Sequence, residues 1–375
     1  MAKYWLFLRK RNSMPHLNEL STMLNQHFNW NKARMNCFCA MLLAVLKLRS
    51  MNLKEIAMGM SDGTQLDSRY RRVQRFLEQH WINFDLVAMF IMLLFGFIGT
   101  SYYLSMDRTN WQWGEKNINI LTLAVVYQGA AIPICWILLN KKGNSNTRER
   151  IALVKRFIKL FGKANILGLL ADREFVGEDW FAWLKAQEIP FHIRIKKNVI
   201  AYSATGKAMP VHKLFQFLKA GEKRLILETK MVTGVEVYLT GLRLENGELL
   251  IIASAQFCAQ AVENYAKRWE IETLFGNLKS RGFNLEDTRV TDRVRMKRLL
   301  TVVVIAFCWA HRTGEWQVKN VKPLKIKKHQ RPATSIFRCG LDAIRDVLLN
   351  SVDPLVLLFK QFLQFLDFNR ICNPC

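Results

Sequence analysis

The stretch Asn264-Tyr265-Ala266-Lys267-Arg268-Trp269-Glu270-Ile271-Glu272-Thr273-Leu274-Phe275-Gly276-Asn277-Leu278-Lys279 decides how the rest of the chain is read. At about 100° per residue, a continuous helix over it places Tyr265, Arg268, Glu272 and Lys279 on one stripe roughly 60° wide. Ile271, Leu274, Phe275 and Leu278 fall on a different side, which a fold can bury. One helix face therefore offers a carboxylate flanked by two cations and a phenol. Two acidic residues upstream, Asp107 and Asp172, each end an apolar, strand-like run. Three carboxylates gathered by a fold, with cations beside them, suit a divalent metal and a phosphodiester.

Outward from that stretch, residues from 101 onward alternate between strand and helix patterns. Tyr102–Asp107 predicts a strand, and Leu121–Tyr127 with Ile134–Leu139 predicts a hairpin turning at Gln128-Gly129. Asn146-Thr147-Arg148-Glu149-Arg150 opens a helix running to about Phe161, and Asn165–Asp172 reads as an apolar strand. Asp179–Gln187 follows as helix and Phe191–Ile195 as strand. This order is an α/β layer architecture, and acids at strand ends are where such sheets place their chemistry. Residues 196–256 interrupt it with strand-rich runs at 223–229, 235–240 and 248–254, which read as an inserted antiparallel sheet.

The two ends differ from this middle. Residues 1–95 read as helical. Asn52–Met60 forms a short amphipathic helix, Ser61-Asp62-Gly63-Thr64 a turn, and Arg69–Leu77 a second helix capped by Asp67 or Ser68. Arg69, Arg72 and Arg75 share one face of it, an arrangement compatible with docking in a DNA major groove. Val294 to Trp309 is an apolar helix, Lys319–Arg331 a basic linker, and 335–370 two amphipathic helices broken near Asp353-Pro354. The domain organisation expected is a helical DNA-binding region at 1–95, a core at 96–290 interrupted by 196–256, and a helical basic region at 291–375 suited to dimerisation.

The 375 residues carry a net charge of +25, and half of them are apolar, which excludes a disordered or low-complexity chain. Such an excess of cations calls for an anionic partner, nucleic acid above all. It is spread along the chain: residues 1–106 hold 13 Lys/Arg against 6 Asp/Glu, and residues 288–375 hold 16 against 6. Within the core, Arg194, Lys196 and Lys197, at the strand that comes after Asp172, are candidate phosphate contacts, the alternative being a solvated strand end. Trp111 and Trp113 read as core packing, and His192 and His212 as structural or exposed. Two charge-free runs, 86–106 and 117–140, have the length of membrane spans. Gly96 and Gly99 break the first, and Gln128-Gly129 and Pro133 the second, so both read as buried elements and no membrane partner is expected. Cys135 and Cys308 sit in apolar runs, and Cys372 and Cys375 have no second ligand pair at zinc spacing. No secretory signal is evident, and a cytoplasmic setting is expected.

Three motifs carry a resemblance: Asp107-Arg108-Thr109; Asp172-Arg173-Glu174-Phe175; and Tyr265-x2-Arg268-x3-Glu272-x6-Lys279. Across residues 101–290 the chain resembles the DDE transposases of bacterial insertion sequences, the insertion-sequence-four group in particular. The resemblance implies an RNase H-like core of the retroviral-integrase superfamily, with a β-rich insertion before the last carboxylate. It implies cleavage of double-stranded DNA at the inverted-repeat ends of a mobile element and joining of the 3′-OH ends to target DNA, by a homodimer assembled on two ends. Asp107, Asp172 and Glu272 would then be the catalytic residues and hold two Mg2+ ions (Mn2+ substituting), Asp107 bridging them. Tyr265, Arg268 and Lys279 would contact DNA near the cut end. Residues 196–264 contain no tryptophan, so no residue is assigned to stacking on a flipped base. The competing reading is a catalytically inactive DNA-binding derivative of such an element.

Overall fold

Asn31 and Asn52 each turn a side-chain oxygen to a backbone N–H two or three residues on, and so open two helices near the start of the chain. The computed structural model describes residues 15–60, 63–328, 330, 332–350 and 353–367. It divides into two compact units, one of 1–98, 111–118 and 274–375, the other of 99–110 and 119–273. Cys372 and Cys375, His329 and Arg331 of the basic linker, and Ser61 and Asp62 lie outside the described residues.

The first unit begins with five helices: α1 (Pro15–Phe28), α2 (Lys32–Leu48), α3 (Leu53–Gly59), α4 (Leu66–Gln79) and α5 (Phe84–Leu94). Helix α2 is apolar on every side, with Met35 and the run Cys37 to Leu46 all buried. Helix α4 is amphipathic and buries Val73, Phe76 and Leu77. It starts earlier than its capping chemistry predicts. Gln65 holds the N-cap position without a side-chain bond, and Asp67 lies in the first turn, where its charge favours the helix dipole instead.

The second unit is built on a sheet. Strand β1 (Tyr102–Trp113) leads through a two-residue turn into β2 (Lys116–Val125), which pairs antiparallel with β3 (Ile132–Leu138). β1 therefore does not end at Asp107. Beyond it Thr109 and Trp111 are buried while Asn110 and Gln112 are exposed, a period-two pattern that keeps the strand going through polar sequence. Helix α6 (Thr147–Phe161) has a reciprocal capping box between Asn146 and Glu149. It leads to β4 (Ile166–Ala171), parallel to β1, and α7 (Glu178–Ala186) leads to β5 (Phe191–Ile195), parallel to β4.

The strand-rich insertion contributes β6 (Ile200–Tyr202), β7 (Ala208–Pro210), β8 (Lys223–Leu225), β9 (Lys230–Val232), β10 (Val235–Arg243) and β11 (Leu249–Ser254). It is not a sheet of its own. β11 pairs antiparallel with β5, Ile251 opposite Ile195, so the described residues form one eleven-stranded sheet. Its order is β3-β2-β1-β4-β5-β11-β10-β9-β6-β7, with β8 also on β10.

The decisive stretch is two helices rather than one, α8 (Ala261–Ala266) and α9 (Trp269–Leu278). Between them the N–H of Arg268 bonds the carbonyl of Tyr265 at 2.9 Å and that of Glu270 bonds Lys267 at 3.1 Å, the three-residue spacing of a tightened turn. Ile271, Leu274, Phe275 and Leu278 are buried as their spacing predicts.

The chain then returns to the first unit with α10 (Arg293–Asn320), α11 (Ile336–Asn350) and α12 (Asp353–Gln364). α10 runs well beyond the apolar stretch that announced it, and Asp292 caps its start. Gly314 and Gly340 let α10 and α11 meet backbone to backbone. A Cβ on Gly340 would lie 1.8 Å from the carbonyl oxygen of Ala310. Among the described residues no single helix is long and apolar enough to cross a membrane. The two charge-free runs fold as α5 followed by β1, and as the β2–β3 hairpin.

Candidate functional site

Parallel pairing of β1 and β4 sets Met106 opposite Ala171, so Asp107 and Asp172 follow on adjacent strands at the same level of the sheet. Asp107 is largely buried, and its Oδ1 accepts the N–H of Arg108 at 2.7 Å. Burial pushes its carboxyl up to about 6; the Arg108 N–H and Arg268 oppose the rise, while Glu174 and Asp172 add to it. Tyr265 donates to Asp172 Oδ1 at 3.5 Å. Burial raises this phenol above its ordinary value, against the pull of Arg268.

Glu272 sits one turn after Arg268, and the guanidinium lies between it and Asp107. Arg268 Nη1 is 3.2 Å from Asp107 Oδ2, and Nη2 is 2.5 Å from Glu272 Oε1. Its side chain is 7% exposed. Burial alone would lower Arg268, but Tyr265, Glu272 and Asp107 outweigh it and hold the guanidinium firmly charged. Arg268 lies at the break between α8 and α9.

The donor set suits a hard divalent cation, since carboxylate oxygens are the ligands Mg2+ and Mn2+ take. The spacing is another matter. Among the described residues no three of His, Cys, Asp or Glu converge closely enough to hold an ion. The Arg268 guanidinium is ion-paired with both Asp107 and Glu272.

Around the acids lies a set of residues that motif reading left without roles. Arg108 grips Glu174 with both arms, Nε to Oε1 at 3.3 Å and Nη2 to Oε2 at 3.1 Å. The pair ties the strand bearing Asp107 to the turn after Asp172. Buried Arg150 donates to the Glu174 carbonyl at 2.8 Å and to the Ser145 hydroxyl at 2.9 Å. Glu270 accepts the N–H groups of Tyr127 at 2.5 Å and Gly129 at 2.9 Å, fastening α9 to the β2–β3 turn, where Gln128 has φ 44°. The sequence signal for Arg108 and Glu174 was their place inside two motifs. Glu270 gave none, because its partners are backbone groups some 140 residues away.

The remaining site residues are distributed as follows. Arg194, Lys196 and Lys197 line a groove of about 800 Å³ with Arg173, His212 and Arg243. Its one acidic wall residue, Glu248, is ion-paired with Arg194. His212 Nδ1 donates to the Lys197 carbonyl, 2.8 Å away, and buried His192 meets Ser254 Oγ at 2.8 Å. Burial, reinforced by Lys267, lowers His192 to about 4. Within the first unit, Lys279 pairs with Glu286 at 2.6 Å and lies 5.6 Å from the ring of Trp111. Trp111 is buried; Trp113 is exposed and carries the Arg289 guanidinium 5.4 Å from its ring.

The three arginines of α4 are not equivalent. Arg69 is turned along the protein to the carbonyls of Met58, at 3.3 Å, and Met60, where it closes the C-terminus of α3. Arg72 is half-buried and Arg75 exposed. Arg298 donates to the carbonyls of Leu77 and Glu78, at 2.7 and 2.6 Å, and so closes the other end of α4.

A family profile described as "Transposase DDE domain" matches residues 98–309. Among solved structures the chain is similar to the piggyBac transposase synaptic complex with hairpin DNA, determined by cryo-electron microscopy. The two share 12% identity over 98% of this chain and 84% of that one, with a TM-score of 0.46. No curated protein matches the chain.

Proposed function

The chain belongs to the DDE transposases, metal-dependent enzymes that cleave DNA, and on that premise we propose that it cuts the terminal inverted repeats of an insertion sequence and transfers their 3′-OH ends into target DNA. The observation that carries this is the grouping of Asp107, Asp172 and Glu272 about Arg268 and Tyr265, with the basic groove in the same unit. We place the chain in the insertion-sequence-four group on its Tyr-Arg-Glu-Lys spacing. The RNase H-like assignment is supported by the strand order β3-β2-β1-β4-β5, with β1, β4 and β5 parallel and the insertion leaving from β5.

Asp107, Asp172 and Glu272 are the residues that would hold the divalent ions, Mg2+ by preference with Mn2+ as substitute. A pair of such ions held there would supply activation of the attacking hydroxyl and stabilisation of the leaving oxygen. The chain's own side chains do the positioning. The Arg268 guanidinium offers a planar fork that matches two phosphate oxygens, and Tyr265 offers an O–H. The Arg108–Glu174 fork holds the strand of Asp107 against the turn of Asp172. Arg194, Lys196 and Lys197 supply sequence-independent attraction for the backbone, and Lys279 adds a cation from the signature. Arg75 and Arg72 are proposed contacts of the N-terminal region to DNA. Arg69 serves that region through its bonds to α3. Action as a homodimer on two DNA ends, inside the cell, completes the proposal.

The test is cleavage of duplex DNA carrying the sequences that flank the reading frame, with Mg2+. Glu272→Gln is expected to bind this DNA as the parent does and to leave it uncut. Cutting that survives the substitution removes Glu272 from the mechanism. A parent protein that binds the ends and never cuts points to the inactive derivative.

A further inference from the structure

We propose that Arg268 is the internal counter-cation of the carboxylate site, so that divalent metal enters only when its guanidinium is drawn off by a phosphate. The inference rests on the assignment of Asp107 and Glu272 as metal ligands and adds a control over when they become available.

One guanidinium bridges two of the three acids, 3.2 Å from Asp107 and 2.5 Å from Glu272, with its side chain 7% exposed. Of the other acids close to Asp107, Glu174 is taken by Arg108 and Asp172 by the Tyr265 hydroxyl. A metal ion and Arg268 therefore compete for the same oxygens. A metal ion bound to the facing oxygens of Asp107 and Glu272 would have to displace Arg268 from them. Removing a buried guanidinium from its carboxylates leaves an uncompensated charge, which is strongly unfavourable unless another anion receives it. A phosphodiester is such an anion, with two oxygens at the spacing of the guanidinium fork. Arg268 Nε is buried without an acceptor, one more donor that a phosphate oxygen would satisfy. DNA and metal would thus load together. Because linkage is reciprocal, DNA raises metal affinity by the factor by which metal raises DNA affinity.

The test is Mn2+ binding to the full-length protein, read by electron paramagnetic resonance, without DNA and then with a random-sequence duplex. Without DNA, Arg268→Gln is expected to bind Mn2+ at least about tenfold more tightly than the parent, within the usual range of coupling between sites. The duplex is expected to tighten Mn2+ binding by the parent and to leave Arg268→Gln unchanged. Equal or weaker binding by Arg268→Gln overturns the proposal. The double variant Asp107→Asn, Arg268→Gln separates this from the site assignment. If the gain persists there, the ion sits elsewhere and the ligand assignment itself fails. Arg268→Lys, which keeps the charge and loses the fork, is expected to fall between the two. Melting curves identify any variant that has unfolded, and the lysine form then decides the outcome.

Discussion

Replacing Asp107 by asparagine is expected to stabilise the metal-free protein at pH 8 while abolishing DNA cleavage. In an unfolded chain this carboxyl ionises near 3.8; in the fold, burial moves it to about 6. A raised value means that the folded state holds the proton more tightly. The stabilisation this gives is complete below 3.8 and is lost as pH rises through about 6. At pH 8 the fold keeps a charge it disfavours, and at about 1.4 kcal/mol per pH unit of displacement the penalty is about 3 kcal/mol. Asparagine is nearly isosteric, retains an oxygen for the Arg108 N–H and carries no charge. The attraction to Arg268 that it forfeits is already included in that displacement. Urea or thermal unfolding at pH 8 and at pH 4, with chelator present, measures the effect. Asp107→Asn is expected to be the more stable protein at pH 8, by up to about 3 kcal/mol, with the difference shrinking towards pH 4. A variant less stable than its parent at pH 8, or a gain equally large at pH 4, would refute the reasoning.

Other outcomes follow from the same structure. Lys196→Gln with Lys197→Gln should weaken DNA binding and reduce the slope of log affinity against log salt by about 2, if each lysine meets one phosphate; an unchanged slope removes them from the interface. Glu174→Gln should lower stability by about 1–2 kcal/mol, because Arg108 loses the carboxylate facing it but keeps Asn110, Asn119 and Asn144; additive losses in a double-mutant cycle with Arg108→Met would show that the pair does not act together. Gly340→Ala should destabilise by 3 kcal/mol or more, at roughly the upper end for overpacking, because the new methyl meets the backbone of Ala310 and Gly314 rather than a movable side chain. A melting temperature unchanged in that variant would contradict the close approach of α10 and α11.

What could be read in the sequence was what local chemistry determines. Asn146 and Glu149 announce α6 because both halves of a capping box are side chains within four residues. The strands Ile166–Ala171 and Phe191–Ile195 are visible as apolar runs because both faces of a parallel strand are covered. Non-local choices were not visible. Nothing between Tyr265 and Glu272 is a helix breaker, yet the helix tightens at Lys267–Arg268, where Arg268 reaches Asp107, 161 positions earlier. The continuation of β1 past Asp107 was masked by polar residues whose alternation only the folded sheet makes meaningful. Arg69 looked like a third member of an exposed stripe, since its partners are carbonyls at the end of another helix, and carbonyls leave no mark on sequence. For the acids, order and neighbours are local properties of the chain, whereas the cation that stands between Asp107 and Glu272 is set by the fold.

The union of β11 with β5 has a consequence for how such a protein changes over generations. The chain departs after Ile195 and comes back at Ile251, the residue directly across the ladder, so its exit and re-entry points are about 5 Å apart. Any segment able to start and finish at one rung can occupy that gap, and lengthening it carries only a slowly growing entropic penalty. The roughly fifty residues in between can change in length without moving the strands that lead to Asp107 and Asp172, while Lys196, Lys197 and Arg243 within them line the basic groove.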